Sequence, residues 1–168
     1  MDTYWKTTIW RQFGAAIDML ENALLACPDK IWGDRSRKPE YWYVAYHTLF
    51  WLDFYLSEST EQFTPPAPFG LEEMDPAGVL PPRVYSKEEL HTYLKHGREK
   101  CRAAILALAD ETADQSCGSK RPELTNFELL LYVMRHVQHH AAQLYLMLRQ
   151  TIDSAPPWVG KTKDSLSV

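Results

Sequence analysis

The sequence of residues 125–153 is TNFELLLYVMRHVQHHAAQLYLMLRQTID. It opens with Thr125 and Glu128 at the spacing of a capping box, in which each side chain accepts a hydrogen bond from the other residue's backbone N–H. Apolar residues then recur at spacings of three, four and seven, which is the period of one helical face. They are Phe127, Leu130, Met134, Val137, Leu144, Leu148 and Ile152. The stretch therefore predicts a long amphipathic helix, which Pro156 and Pro157 end.

Three further helical patterns precede this one. The first runs from about Thr3 to Ala26, where apolar residues recur at helical spacing until Pro28. The second is predicted to open with Pro39, since proline suits a first helical turn, and to end near Ser57. It carries aromatic residues on nearly every face, which predicts burial on more than one side. The third begins at another capping box, Ser86 to Glu89, and continues to about Leu108.

A long connection separates the second and third helices. Residues 58–85 contain six prolines, so they can form neither a continuous helix nor a central strand. An extended chain gains about 3.3 Å per residue, so this crossover can span a helical bundle and wall a pocket at one end. The prediction is an all-α, single-domain four-helix bundle over residues 1–168, with an irregular tail at 154–168. Its topology is up-down-up-down or, if the crossover traverses the bundle, up-down-down-up, which is favoured.

The composition is that of an ordinary globular domain. Of 168 residues, 45% are apolar and 24% charged, and the net charge is -4. Without clustered positive charge, a nucleic acid is not expected as a partner. The most apolar window, 41–52, is too short to span a bilayer and no signal-like segment is found, so a cytoplasmic protein without a membrane partner is expected. The three cysteines lack metal-finger spacing and suit a reducing compartment.

The candidate functional residues are histidines. His136 and His140 are four residues apart, so on a helix both imidazoles project from the same side. Such a pair is consistent with metal ligands and equally with satisfied core histidines or surface histidines. His47, in the middle of the second helix, is either a third ligand or a core histidine bonded to a carbonyl or a tyrosine. If the second and fourth helices pack together, three imidazoles leave coordination positions for water or substrate, as in catalytic sites.

Residues near these histidines are candidates for lining the pocket or orienting the ligands. Chosen by helical proximity, they are Tyr43, Trp51, His139 and Gln143. His139 points about 100° away from His140, which favours a supporting or surface role. His91 and His96 lie on different faces of the third helix and are predicted to be solvated. The sequence indicates no particular catalytic residue.

The stretch His136-Val-Gln-His-His140-Ala-Ala-Gln143-Leu144 resembles the signature of the DinB-like metalloenzymes. His47, within Ala-Tyr-His-Thr-Leu-Phe-Trp, is similarly located to that family's helix-two histidine. The resemblance implies a four-helix bundle, often a homodimer, in which these three histidines hold nickel or zinc. Members of known activity are thiol-dependent, so it also implies a low-molecular-weight thiol and a small-molecule substrate. The Pro-rich segment 63–82 is longer than the family's usual connection.

Two functions follow as hypotheses. The first is a metal-dependent transferase or hydrolase, in which zinc, nickel or iron lowers the pKa of a bound thiol or water. The second is a non-catalytic metal-binding or interaction module that dimerises through the aromatic residues of the second helix. An exchangeable water on the ion favours the enzyme, whereas a fourth protein ligand favours a structural site.

Overall fold

Four long helices dominate the structure, a computed structural model that describes residues 4–166. The helices are α1 (Tyr4–Ala26), α2 (Asp29–Trp32), α3 (Tyr41–Tyr55), α4 (Lys87–Ala107), α5 (Asp110–Ala113) and α6 (Asn126–Ile152), with single 3-10 turns at Glu72–Met74 and Gly118–Lys120. Over the described range there is no β-strand, which confirms the predicted all-α class. Thr3, the predicted start of the first helix, lies outside the described residues. None of the described helices is long and apolar enough to cross a bilayer.

Both predicted capping boxes are present. The Ser86 hydroxyl accepts from the Glu89 backbone N–H at 3.2 Å, and the Glu89 carboxylate accepts from the Ser86 N–H at 2.8 Å. At the start of α6 the corresponding distances between Thr125 and Glu128 are 3.2 and 2.9 Å. These contacts satisfy backbone donors that a helix leaves without an internal partner, so they fix where α4 and α6 begin.

The start of α3 differs from the prediction. The helix begins at Tyr41 rather than Pro39, because Glu40 has extended backbone with ψ of 143°. The buried Glu40 carboxylate accepts from the Trp42 indole at 2.7 Å and pairs with Arg35 at 3.4 Å. These contacts hold the Glu40 side chain in place, so Glu40 is the residue that immediately precedes the first turn of α3.

Helix α3 lies side by side with α6. Helices α1 and α3 each contact both α4 and α6, and the apolar side chains between them form the core. Twelve of the fifteen residues of α3 are buried, as its aromatic sequence predicts. The remaining three, Tyr43, His47 and Trp51, are half-buried and follow one another at intervals of one turn. They form a single stripe, named here the α3 stripe. The four-helix-bundle order up-down-down-up stays a prediction.

The crossover 58–85 folds back onto the helices. Phe63, Phe69 and Tyr85 are buried, and the Phe69 ring stacks on Tyr93 of α4 with centroids 4.4 Å apart. Such aromatic anchors hold an otherwise irregular segment against the core. As a result, the 3-10 turn Glu72–Met74 lies over the α3 stripe.

The irregular tail after Asp153 also packs on the helices. The Thr162 backbone N–H donates to the Arg11 carbonyl at 3.0 Å, and the Trp10 indole donates to the Asp164 carbonyl at 2.9 Å. Gly14 makes room for this contact, because a Cβ there would lie 2.5 Å from the Thr162 methyl. The tail therefore covers part of α1 although it has no regular structure.

Candidate metal centre

The three predicted histidines lie together. One ring nitrogen from each of His47, His136 and His140 can be chosen so that all lie within 4.8 Å of one another. The ring centroids of His136 and His140 are 4.5 Å apart, and His47 lies 4.8 Å from His140 and 5.4 Å from His136. Two consecutive turns of α6 supply one pair and α3 supplies the third, because these helices pack side by side.

The environment keeps two of the imidazoles neutral. Burial, with the nearby imidazoles of His140 and His47, lowers the pKa of His136 to about 3. The pKa of His140 is also lowered, chiefly by burial. A neutral imidazole carries the lone pair that a metal ion requires. The Nε2 atom of His136 is buried, and no described residue gives it a hydrogen-bond partner. A buried ring nitrogen without a partner, beside two other imidazoles, is an arrangement that a metal cation would satisfy.

Gln143 orients His140. The Nδ1 atom of His140 lies 2.7 Å from the Gln143 side-chain oxygen, which can only accept, so the proton is on Nδ1 and the lone pair on Nε2. The amide nitrogen of Gln143 contacts Nε2 of the exposed His139 at 3.2 Å. His139 also lies directly beside His140, with ring centroids 5.0 Å apart. The supporting roles of Gln143 and His139 stay predictions.

A residue that sequence reasoning missed stands beside His47. Glu73, from the 3-10 turn of the crossover, accepts from His47 Nδ1 at 2.6 Å and from the Trp51 indole at 3.0 Å. The Tyr43 hydroxyl lies near the same carboxylate, and its pKa is raised by burial and by this neighbouring Glu73. Burial raises the pKa of the Glu73 carboxyl, but these hydrogen bonds outweigh burial and hold it below its usual value. Five acidic residues lie in the crossover, and no periodicity distinguishes this one.

The structure corrects part of what the sequence predicts for the remaining aromatic residues and histidines. Tyr43 and Trp51 do flank His47, yet the Trp51 indole donates to Glu73 and the Tyr43 hydroxyl lies near that same carboxylate. His91 and His96 are not simply solvated, since His91 lies 2.8 Å from Glu21 and His96 lies 3.3 Å from Asp53. Their helix faces carboxylates on α1 and α3, which a pattern confined to α4 does not reveal.

No cysteine belongs to the cluster among the described residues. Cys27 and Cys101 are buried, and Cys117 is half-buried in the loop before α6. Burial raises the pKa of Cys101 well above its usual value and that of Cys27 to about 12. A thiolate nucleophile from these two positions is therefore disfavoured.

The protein is thus all-α, and the three imidazoles clustered on two packed helices form a candidate site for a divalent metal. The sequence model of the DinB superfamily matches residues 12–144, and the chain belongs to this superfamily. No curated protein and no solved structure matches the chain. The predicted family resemblance is thus confirmed, whereas metal binding by the three histidines stays a prediction.

Proposed function

We propose that the chain is a metal-dependent enzyme, a transferase or hydrolase whose nucleophile is a low-molecular-weight thiol or water. The observation that carries this proposal is the set of three imidazoles with no fourth ligand. Among residues 4–166, no further histidine, cysteine or carboxylate atom joins the cluster. Structural zinc sites use four protein ligands, whereas catalytic sites use three and keep a position for water or substrate.

The chemistry of the donors supports a divalent transition metal. Imidazole nitrogens suit zinc, nickel, iron(II) and copper, and they disfavour magnesium and calcium, which take oxygen ligands. A bound ion of this kind lowers the pKa of a coordinated thiol or water and so provides a nucleophile at neutral pH. Zinc and nickel are the metals that the family resemblance favours.

The side chains around the cluster have separate tasks. His47, His136 and His140 would hold the ion, and Gln143 fixes the ring of His140 through its 2.7 Å hydrogen bond. The aromatic rings of Tyr43 and Trp51 stand on either side of His47, with centroids 6.2 and 6.3 Å from its ring. We expect these rings to limit the access of water on this side of the site, which would strengthen electrostatic interactions inside it.

Two further statements belong to this proposal by family membership alone. The protein acts on a small molecule, and it works as a homodimer. Both follow from the DinB resemblance.

The first test is the metal content of protein purified without an affinity tag. We expect about one equivalent of zinc, nickel or iron per chain in the wild type. The matched variants are His136→Ala, which should lose the metal, and His91→Ala, which removes a histidine outside the cluster and should keep it. If the wild type carries no metal and takes up neither zinc nor nickel on titration, the proposal is wrong.

A second measurement separates the enzyme from a structural metal module. X-ray absorption of the zinc-loaded protein counts the nitrogen, oxygen and sulfur ligands. Three imidazoles with an exchangeable water, together with metal-dependent consumption of a thiol and an electrophile, support the enzyme. A shell closed by four protein ligands favours the non-catalytic module.

A further inference from the structure

The crossover supplies a buried carboxylate to the α3 stripe. Tyr43, His47 and Trp51 are the only residues of α3 that the core leaves half-exposed. His47 and Trp51 each direct a side-chain donor at Glu73, and the Tyr43 hydroxyl lies near it. Side chains on three successive turns therefore converge on one group from a different segment. This convergence is specific to the position, because the exposed Glu58 and Glu61 of the same crossover have no comparable contact with the stripe.

The Glu73 side chain is only 3% exposed, whereas His47 is 29% exposed. Withdrawing a carboxylate from water is unfavourable unless hydrogen bonds compensate for the lost hydration. Oε2 takes part in the contacts with His47 and Trp51, and Oε1 is buried without a partner among the described residues. The hydrogen bonds that compensate for this burial come from the α3 stripe, so they direct the carboxylate at His47.

The contact between His47 Nδ1 and the Glu73 carboxylate determines which ring nitrogen of His47 carries the lone pair. An ionised carboxylate has no proton to donate, so the 2.6 Å contact requires a proton on His47 Nδ1. In the neutral ring the lone pair is then on Nε2. Gln143 imposes the same assignment on His140 through its own Nδ1 contact. The two rings, from different helices, are thus held in the same tautomer by two different partners.

We propose that Glu73 is a positioning residue of the histidine cluster, and that through it the Pro-rich crossover is part of the metal centre. Glu73 holds His47 in the tautomer with Nε2 free, fixes the ring and makes it a stronger donor, as carboxylates behind metal-bound histidines do elsewhere. The inference rests on the proposed function for its metal, but the tautomer can be measured in metal-free protein.

The first experiment measures zinc affinity by competition with a chromophoric chelator. Loss of a group behind a metal-bound histidine typically weakens binding about 10- to 100-fold, and we expect Glu73→Gln to fall in this range. Glu61→Gln is the matched control, since it makes the same change at an exposed position of the same crossover. It should bind zinc like the wild type. Circular dichroism verifies that both variants are folded.

The second experiment reads the tautomer directly in metal-free protein. Long-range ¹H–¹⁵N correlation spectra at pH 8 distinguish the two neutral forms of each imidazole, and comparison with His47→Gln assigns the His47 signals. We expect the Nδ1–H form in the wild type, and a shift toward Nε2–H in Glu73→Ala. Loosening of the crossover alone would lower stability without moving this signal.

The outcomes are separable. An unchanged His47 tautomer in Glu73→Ala overturns the positioning role whatever the metal result. If the wild type binds zinc and His136→Ala does not, unchanged affinity in Glu73→Gln also overturns it, while the proposed function stands. If the wild type binds no metal, the proposed function fails, and the tautomer alone decides whether Glu73 positions His47.

Discussion

At the residue scale, the buried carboxylate of α3, Asp53, has a role distinct from that of Glu73. Asp53 is 1% exposed and faces α4, where it accepts from the Tyr93 hydroxyl at 3.0 Å and lies 3.3 Å from His96. The Lys100 ammonium also contacts it and donates to the Ser57 hydroxyl at 2.6 Å. A buried charge surrounded in this way is stable only while its partners remain.

We therefore expect Asp53→Ala to lower the free energy of unfolding by about 3 kcal/mol, because Lys100 and Tyr93 lose their shared acceptor. Urea denaturation followed by circular dichroism measures this change. Asp29→Ala is the control, since the Asp29 carboxylate is almost fully exposed although it also pairs with a lysine, Lys87. It should leave stability nearly unchanged. Equal effects of both variants would contradict this account.

The sequence could predict some of the individual residues of the site but not all of them. His136 and His140 stand out because four residues make about one helical turn, and His47 because it lies amid buried aromatic positions. Glu73 could not be found in this way, since a Pro-rich segment has no period that says which side chain turns inward. Its position follows from long-range packing of residues such as Phe69 against Tyr93.

At the element scale, the capping boxes should contribute measurably to stability. Thr125→Ala removes the hydroxyl that accepts from the Glu128 N–H, and we expect a loss of about 1 kcal/mol in the free energy of unfolding. Thr92→Ala is the matched control, because the Thr92 hydroxyl donates to the Glu88 carbonyl within α4 and caps nothing. Chemical denaturation of both variants tests the difference. A loss in Thr125→Ala no larger than in Thr92→Ala would show that the box is dispensable.

Helices were predicted well where local signals mark them. The starts of α4 and α6 follow from side chains three residues apart, which the sequence displays. The start of α3 was missed because it depends on Glu40, whose ion pair with Arg35 is not apparent from helical periodicity. The one-turn helices α2 and α5 were also missed, since four residues are too few to establish a period.

At the scale of the whole molecule, two irregular segments complete the helical framework. The crossover brings Glu73 to α3, and the tail brings Thr162 to Gly14 on α1. A bound metal would add a third long-range link, between His47 on α3 and the histidine pair on α6. Because α3 and α6 are distant in sequence, this link exists only when the chain is folded.

A ligand that binds only the folded state must raise its stability, so zinc should stabilise the protein against heat. At a free zinc concentration 100-fold above the dissociation constant the gain is about 2.7 kcal/mol. For a chain of this size that is an increase of roughly 5 to 10 °C in Tm, which differential scanning fluorimetry resolves. A chelator should reverse the increase, and His91→Ala should show it in full. His136→Ala should show none, and an equal shift in that variant would mean that zinc binds elsewhere on the chain.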